Sequence, residues 1–305
     1  MKMNDVLFSR LGKPVFRVVM GLVFASLAAC STPVEPLVVC HNSNCQEPPE
    51  PTEDDTLEAL QASLAQQDAN GVPLVDGIEL DLFWFGDEDI CLYAHDLSHG
   101  SEGPTAAEGI AGLIAALEEK QTTQARLTRQ EGVAFQVFLE LKGHVGLSKS
   151  EKHSDEQREA HASCALDMVA LLQDAAQAHG WSMAITLNSF DPSLMTAVSQ
   201  LAQLDEIRGR GILRVRLGAI FGVPPPLDSQ TRPLSEWPDS IGIEAANVHP
   251  HWIRQGSLEV FKSRGWDVAF WMFSQVPETL AAIERHEPRW MVTNEANTID
   301  RWLRR

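Results

Sequence analysis

Basic residues are scarce in this chain: 24 Lys and Arg stand against 42 Asp and Glu in 305 residues, a formal charge of −18 at pH 7. A phosphate backbone needs a basic footprint, so the balance argues against nucleic acid as a partner. It also disfavours broad electrostatic adhesion to anionic lipid. The five cysteines match no zinc spacing. No glycine-rich nucleotide loop follows the first predicted strand, which counts against a doubly wound dinucleotide fold. No segment is so low in complexity that wholesale disorder follows. The early apolar run from Val18 to Ala29 is too short to span a bilayer as a stable anchor. What is present is ample apolar material, 44% of the residues, enough for one large α/β domain or two small ones. A strongly anionic protein can still act on phosphate esters if a metal and local cations reverse the field at the site.

The stretch from Val75 to Asp96 organises the rest. Glu79 and Asp81 flank Leu80, so on an extended strand both carboxylates point to the same side. The run Val75–Phe85 is too apolar for a fully solvated strand. An acidic turn follows (Asp87, Glu88, Asp89), then a short second strand ending at His95 and Asp96. Two carboxylates beside a His–Asp pair suggest a hard-cation site with an acid/base group next to it.

Strands that alternate with helices are predicted to end near His41, Asp81, Lys142, Leu187, Ala219, Ala245, Trp271 and Thr293, with Phe85–His95 as a hairpin-like excursion after the second. Helices are expected from Asp55 (a candidate N-cap) to about Gln67, from about Thr105 to Lys120, and from about Asp155 to His179. Others are expected after Pro192, from about Pro250 to Arg264, over Pro277–His286 and over Ile299–Arg305. Eight βα units over about 270 residues fit a (β/α)8 TIM barrel, whose active site gathers at the C-terminal strand tips. Those tips would carry His41, Glu79, Asp81, His95, Glu140 and Lys142, with Trp271 and Asn294 later in the chain. Three carboxylates suit one divalent cation, Mg²⁺ or Ca²⁺. Two histidines suit a general base and a general acid flanking phosphorus, and Lys142 suits charge developing on a phosphoryl oxygen. His99, His144, His153, His161, His249 and His251 are read as solvated or capping.

The ordered motifs resemble the glycerophosphodiester phosphodiesterase family of the phospholipase C-like phosphodiesterase superfamily. Its His-Arg-Gly is echoed by His41-Asn42-Ser43, and its Pro-Glu-Asn-Thr-Leu-Glu-Ala-Phe by Asp54-Asp55-Thr56-Leu57-Glu58-Ala59-Leu60. Its Glu-x-Asp and His-Asp appear as Glu79/Asp81 and His95/Asp96, and its Glu-x-Lys as Glu140-Leu141-Lys142. Ser189-Phe190, Trp271-Met272 and Thr293-Asn294 stand where the family has Ser-Phe, Trp-Thr and Thr-Asp. The resemblance covers about residues 37–300. It implies a TIM-barrel phosphodiesterase acting on a small glycerophosphodiester to give glycerol 3-phosphate and an alcohol. Glu79, Asp81 and Glu140 would be metal ligands, His41 and His95 the acid/base pair, and Lys142 a phosphate contact. Asn42, Trp271 and Asn294 would line the substrate. Asn42 replaces the Arg that helps hold phosphate in the family. The sphingomyelinase D-like phospholipases D also lack that Arg and have a Trp and an Asn late in the barrel, so a lipid phosphodiesterase and a non-catalytic ligand-binding relative are the alternatives.

At the start of the chain, Lys2, Arg10, Lys13 and Arg17 precede the apolar core, which ends in Leu27-Ala28-Ala29-Cys30. That ending resembles the lipobox of bacterial lipoproteins. It implies a signal peptide over 1–29, a lipidated Cys30, a tether over 30–36 and a barrel domain over 37–305. Ser31, in place of a retaining Asp, points to the outer membrane facing the periplasm; an ordinary secretory peptide cut nearby is the alternative. Without residues 1–29 the charge is −21. The six residues between Cys30 and Leu37 span at most about 20–25 Å, which would turn the catalytic tips away from the membrane and toward soluble substrate. Outside the cytoplasm Cys40–Cys45 could brace the loop after the first strand; buried free thiols are the other possibility for Cys40, Cys45, Cys91 and Cys164.

Overall fold

Eight parallel strands close on themselves in the computed structural model, which describes residues 35–45, 53–86, 88–95, 102–124, 126–143, 153–222, 232–254, 258–272, 281 and 285–304. The expected signal peptide, Cys30 and residues 31–34 of the expected tether lie outside the described residues, as do Asp96, His99, His144 and the helix expected over Pro277–His286 for the most part. The barrel strands are β1 (Leu37–Cys40), β2 (Gly77–Phe85), β4 (Phe135–Lys142), β5 (Met183–Ser189), β6 (Arg214–Phe221), β7 (Ala245–Val248), β8 (Asp267–Met272) and β9 (Trp290–Thr293). Each pairs in parallel with its neighbours, and β1 closes the ring by pairing with both β2 and β9. The excursion is β3 (Ile90–Tyr93), antiparallel to the end of β2 with Phe85 opposite Ile90 and Leu82 opposite Tyr93. The (β/α)8 barrel with a hairpin after its second strand is therefore the observed fold.

Period-2 burial divides the core in two. Val39, Phe138, Ala245, Ala269, Trp290 and Val292 fill the barrel interior, while a larger cluster packs the outer strand faces against the helices. Those helices are α1 (Leu57–Ala65), α2 (Ala106–Thr123), α3 (Asp155–His179), α4 (Pro192–Gln200), α5 (Ala202–Gly209), α6 (Pro250–Arg254), α7 (Leu258–Lys262) and α8 (Ala296–Leu303). Thr105 and Ser154 start α2 and α3 with capping boxes, each side-chain oxygen accepting from the third residue on.

Local chemistry accounts for the departures from expectation. Thr56, not Asp55, caps α1, its hydroxyl accepting from the Ala59 amide; Asp55 sits outside the helix with φ at 53°. The strand expected to end near Ala245 instead begins there, because Pro238 and a left-handed Gly242 bracket a tight turn at Asp239–Ile241. α5 was not expected at all. His161 is neither solvated nor a cap. It is fully buried, and its Nε2–H donates to the Leu82 carbonyl at 3.0 Å, so burial holds its pKa down at about 3. All four described cysteines pair, Cys40 with Cys45 and Cys91 with Cys164.

Ring closure at β1–β2 rests on two register pairs, Val39 with Gly77 and Cys40 with Ile78. A buried ion pair braces it: Asp76 accepts from the Val38 amide at 3.0 Å, the Gln130 amide at 2.7 Å and Arg129 Nε at 3.3 Å. Gly77 is required beside it, since a Cβ there would lie 2.2 Å from the Gln136 carbonyl. Asp76→Ala should cost about 3 kcal/mol, because it leaves the Arg129 guanidinium buried with fewer partners. Urea unfolding measures this, and a loss below about 1 kcal/mol would show that closure does not depend on the pair.

Candidate active site

The C-terminal strand ends converge on one buried polar centre. Glu79 and Asp81 point inward from β2 because alternate residues share a face, and parallel register sets Asp81 opposite Glu140 on β4 and Glu140 opposite Asn188 on β5. Glu79, Asp81, Glu140 and Asn188 are each at most 2% exposed. Lys142 reaches back from the tip of β4, its Nζ 2.8 Å from both Asp81 Oδ2 and Glu140 Oε1. Burial pulls the Lys142 pKa down, and the two carboxylates more than offset this, so the ammonium stays charged.

His41 occupies a short helical turn after β1, closed by the Cys40–Cys45 disulfide and by left-handed backbone at Asn42 and Ser43, with φ of 47° and 54°. Its Nδ1–H donates to Asn294 Oδ1 at 2.6 Å, and the Trp271 indole N–H donates to its Nε2 at 2.7 Å. Those two contacts define a neutral ring protonated on Nδ1. Burial and then the Lys142 charge lower its pKa to about 3. Nε2 also lies 3.6 Å from Glu79 Oε2. Trp271 and Asn294, expected along the substrate, each hydrogen-bond to His41. Phe190 packs edge-on against Trp271 at 5.7 Å between centroids. His95 is exposed after β3, close enough for its charge to act on both His41 and Glu140.

Two residues of the centre escaped the sequence reading. Asp55, 4% exposed, turns Oδ1 toward the Asp81 amide at 3.4 Å. Asn188 has both side-chain polar atoms buried without a hydrogen bond. The consecutive Asp54-Asp55 before a helix was a signal of sorts, but it reads equally well as a cap. Asn188 at the tip of a strand carried none. Asn42 is buried, and its amide donates to Asp54 Oδ2 at 3.3 Å.

Four buried carboxyls, Asp55, Glu79, Asp81 and Glu140, thus face one ammonium. Burial raises the pKa of all four; neighbouring carboxylates add to it for Glu79 and Asp55, whereas Lys142 opposes it for Asp81 and Glu140. Glu79 Oε2 and Asp81 Oδ1 are buried and accept no hydrogen bond. Hard oxygen donors, orphaned lone pairs and a deficit of positive charge are the chemistry that suits Mg²⁺ or Ca²⁺. As the side chains stand, no three His, Cys, Asp or Glu among the described residues converge tightly enough to chelate an ion, and the Lys142 ammonium stands between Asp81 and Glu140.

No family model matches the chain, and no curated protein is significantly similar to it. Solved structures are similar in fold. One is a glycerophosphodiester phosphodiesterase from Parabacteroides distasonis, with a TM-score of 0.55 at 12% identity over 88% of this chain and 97% of that one. Another is an Oleispira antarctica phosphodiesterase in complex with the product sn-glycerol-3-phosphate, with a TM-score of 0.53 at 15% identity over 88% of this chain and 97% of that one. At such identities the likeness is one of fold: this chain shares the barrel of those phosphodiesterases.

Proposed function

We propose that this protein is a metal-dependent phosphodiesterase that cleaves a soluble glycerophosphodiester to glycerol 3-phosphate and an alcohol. The observation that carries the reading is the juxtaposition of His41, three buried carboxylates and Lys142 at the mouth of a barrel shared with glycerophosphodiester phosphodiesterases. Glu79, Asp81 and Glu140 would hold one Mg²⁺ or Ca²⁺, which when bound supplies Lewis-acid stabilisation of the phosphoryl oxygens. His41 is held neutral with its proton on Nδ1, so Nε2 is the atom that accepts a proton from the attacking group once substrate displaces the Trp271 N–H. Asn294 fixes the tautomer and stabilises the imidazolium that results. His95, on the open side, donates a proton to the departing alkoxide. Lys142 neutralises charge that develops on phosphorus-bound oxygen.

The envelope setting belongs to the same proposal: lipid attachment at Cys30, on the periplasmic side of the outer membrane, with the barrel mouth facing away. The chain carries a charge of −18, which opposes approach to an anionic bilayer. The test compares hydrolysis of glycerophosphodiesters with hydrolysis of intact phospholipid vesicles by the purified chain in Mg²⁺ or Ca²⁺. Preference for the soluble diesters is expected. Preference for vesicles would replace the proposal with a phospholipase D-like activity, and hydrolysis of neither would leave a ligand-binding relative.

A further inference from the structure

The hairpin that carries His95 is a weak element on its own. β3 is four residues long and pairs along its length with β2 alone, with a single bridge from Leu92 to Thr105 on its other side. A two-stranded hairpin is marginally stable in water. A group that delivers a proton to a particular oxygen must be held to within about 0.5 Å. The ladder between β2 and β3 does not by itself give His95 that precision.

The long helix α3 reaches the hairpin from one face. Gln157, His161 and Cys164 are spaced four and then three residues apart, so they line one side of the helix. Gln157 closes the capping box by accepting the Ser154 amide at 2.9 Å, and its Nε2–H donates to the Gly86 carbonyl at 3.3 Å. His161 donates to the Leu82 carbonyl at 3.0 Å and stacks on Trp84 with 6.3 Å between ring centroids. Leu82 and Trp84 stand opposite Tyr93 and Cys91 in the ladder, and Cys91 is itself bonded to Cys164. The three anchors thus take hold of the end of β2, the turn after it and β3.

Two observations separate this face from ordinary packing. Nδ1 of His161 is buried and makes no hydrogen bond, so an apolar side chain would fill the same space at lower cost. What the imidazole adds is its N–H to Leu82. The helix is also stiff: 25 residues, with a capping box at Ser154 and a left-handed Gly180 at its end.

We infer that His161 and the Cys91–Cys164 disulfide are positioning groups, which hold the β2–β3 hairpin on α3 so that His95 meets the departing oxygen. The inference rests on the phosphodiesterase reading and deepens it by naming what sets its proton donor in place.

Two variants break different anchors, His161→Leu and the double change Cys91→Ser with Cys164→Ser, so misfolding of one leaves the other. Each is assayed at saturating Mg²⁺ on a glycerophosphodiester of an alkyl alcohol and on an aryl phosphodiester. On the alkyl diester kcat should fall about ten- to a hundredfold with KM little changed, the scale of a small misplacement of a reacting group. On the aryl diester the loss should be severalfold smaller, because a phenolate departs with less need of a proton. His161→Gln, which keeps an N–H of similar reach, should restore most of the alkyl activity. Hydrogen exchange of the Ile90–Ala94 amides should quicken in His161→Leu and in the double cysteine variant. Equal losses on the two diesters, or no loss, would overturn the inference. Quickened exchange in a chain that hydrolyses no diester would uphold the clamp and remove the phosphodiesterase reading. Diester hydrolysis with exchange unmoved in both variants would do the reverse.

Discussion

His41→Ala should lower turnover by about 10²- to 10⁴-fold, the usual worth of a positioned proton acceptor. The effect is expected on kcat rather than KM, because the ring is buried and held by Asn294 and Trp271. His95→Ala should fall in the same range, and the double variant should be little worse than the poorer single one if the two act as a unit. Asn294→Ala provides the control: it leaves the ring in place and removes only the acceptor that fixes its tautomer, so it should cost less than loss of the ring. Single-turnover measurements on a chromogenic phosphodiester distinguish these cases. Near-unaltered rates for His41→Ala would move the chemistry elsewhere on the barrel.

Removal of one carboxylate from the centre should have a comparably large and two-sided effect. With Glu79→Gln or Asp81→Ala, affinity for Mg²⁺ or Ca²⁺ should fall by more than the roughly 10- to 100-fold typical of losing an outer-shell partner, and activity should fall with it. Stability without metal should move in the opposite direction for Glu79→Gln. Burial, then Glu140 and Asp81, push the Glu79 carboxyl toward protonation, so removing its charge relieves both desolvation and repulsion in a site where Lys142 faces four buried carboxyls. Calorimetric metal titration alongside metal-free thermal unfolding reads both. Full activity of either variant in excess chelator would sink the metal assignment. A metal-free melting temperature that drops in Glu79→Gln would show that the carboxylates are compensated in some other way.

The barrel was legible along the chain because its signals are local. Apolar runs of strand length alternate with amphipathic segments, and each of the β2 and β4 tips carries its charged pair two residues apart, so period-2 geometry alone places Glu79 with Asp81 and Glu140 with Lys142 on shared faces. Where local signals compete, boundaries moved. Asp55 and Thr56 are both good caps, and only packing against β2 made the first a member of the site and the second the cap. Ile241–Ala245 looks like a strand, but its glycine takes a left-handed turn.

By itself, then, the sequence determined the succession of strands, the inward faces and, at one end, three of the four buried carboxyls with the histidines and the lysine, because neighbours along the chain decide periodicity and register limits the faces to two. Contacts between residues far apart in the chain were decided by tertiary structure alone. Trp271 and Asn294 lie 230 and 253 residues from His41, and no local pattern says whether a polar side chain at a strand tip faces substrate or a neighbour's ring. Closing the ring brings β1 between β2 and β9, and that closure sets His41 beside Trp271 and Asn294.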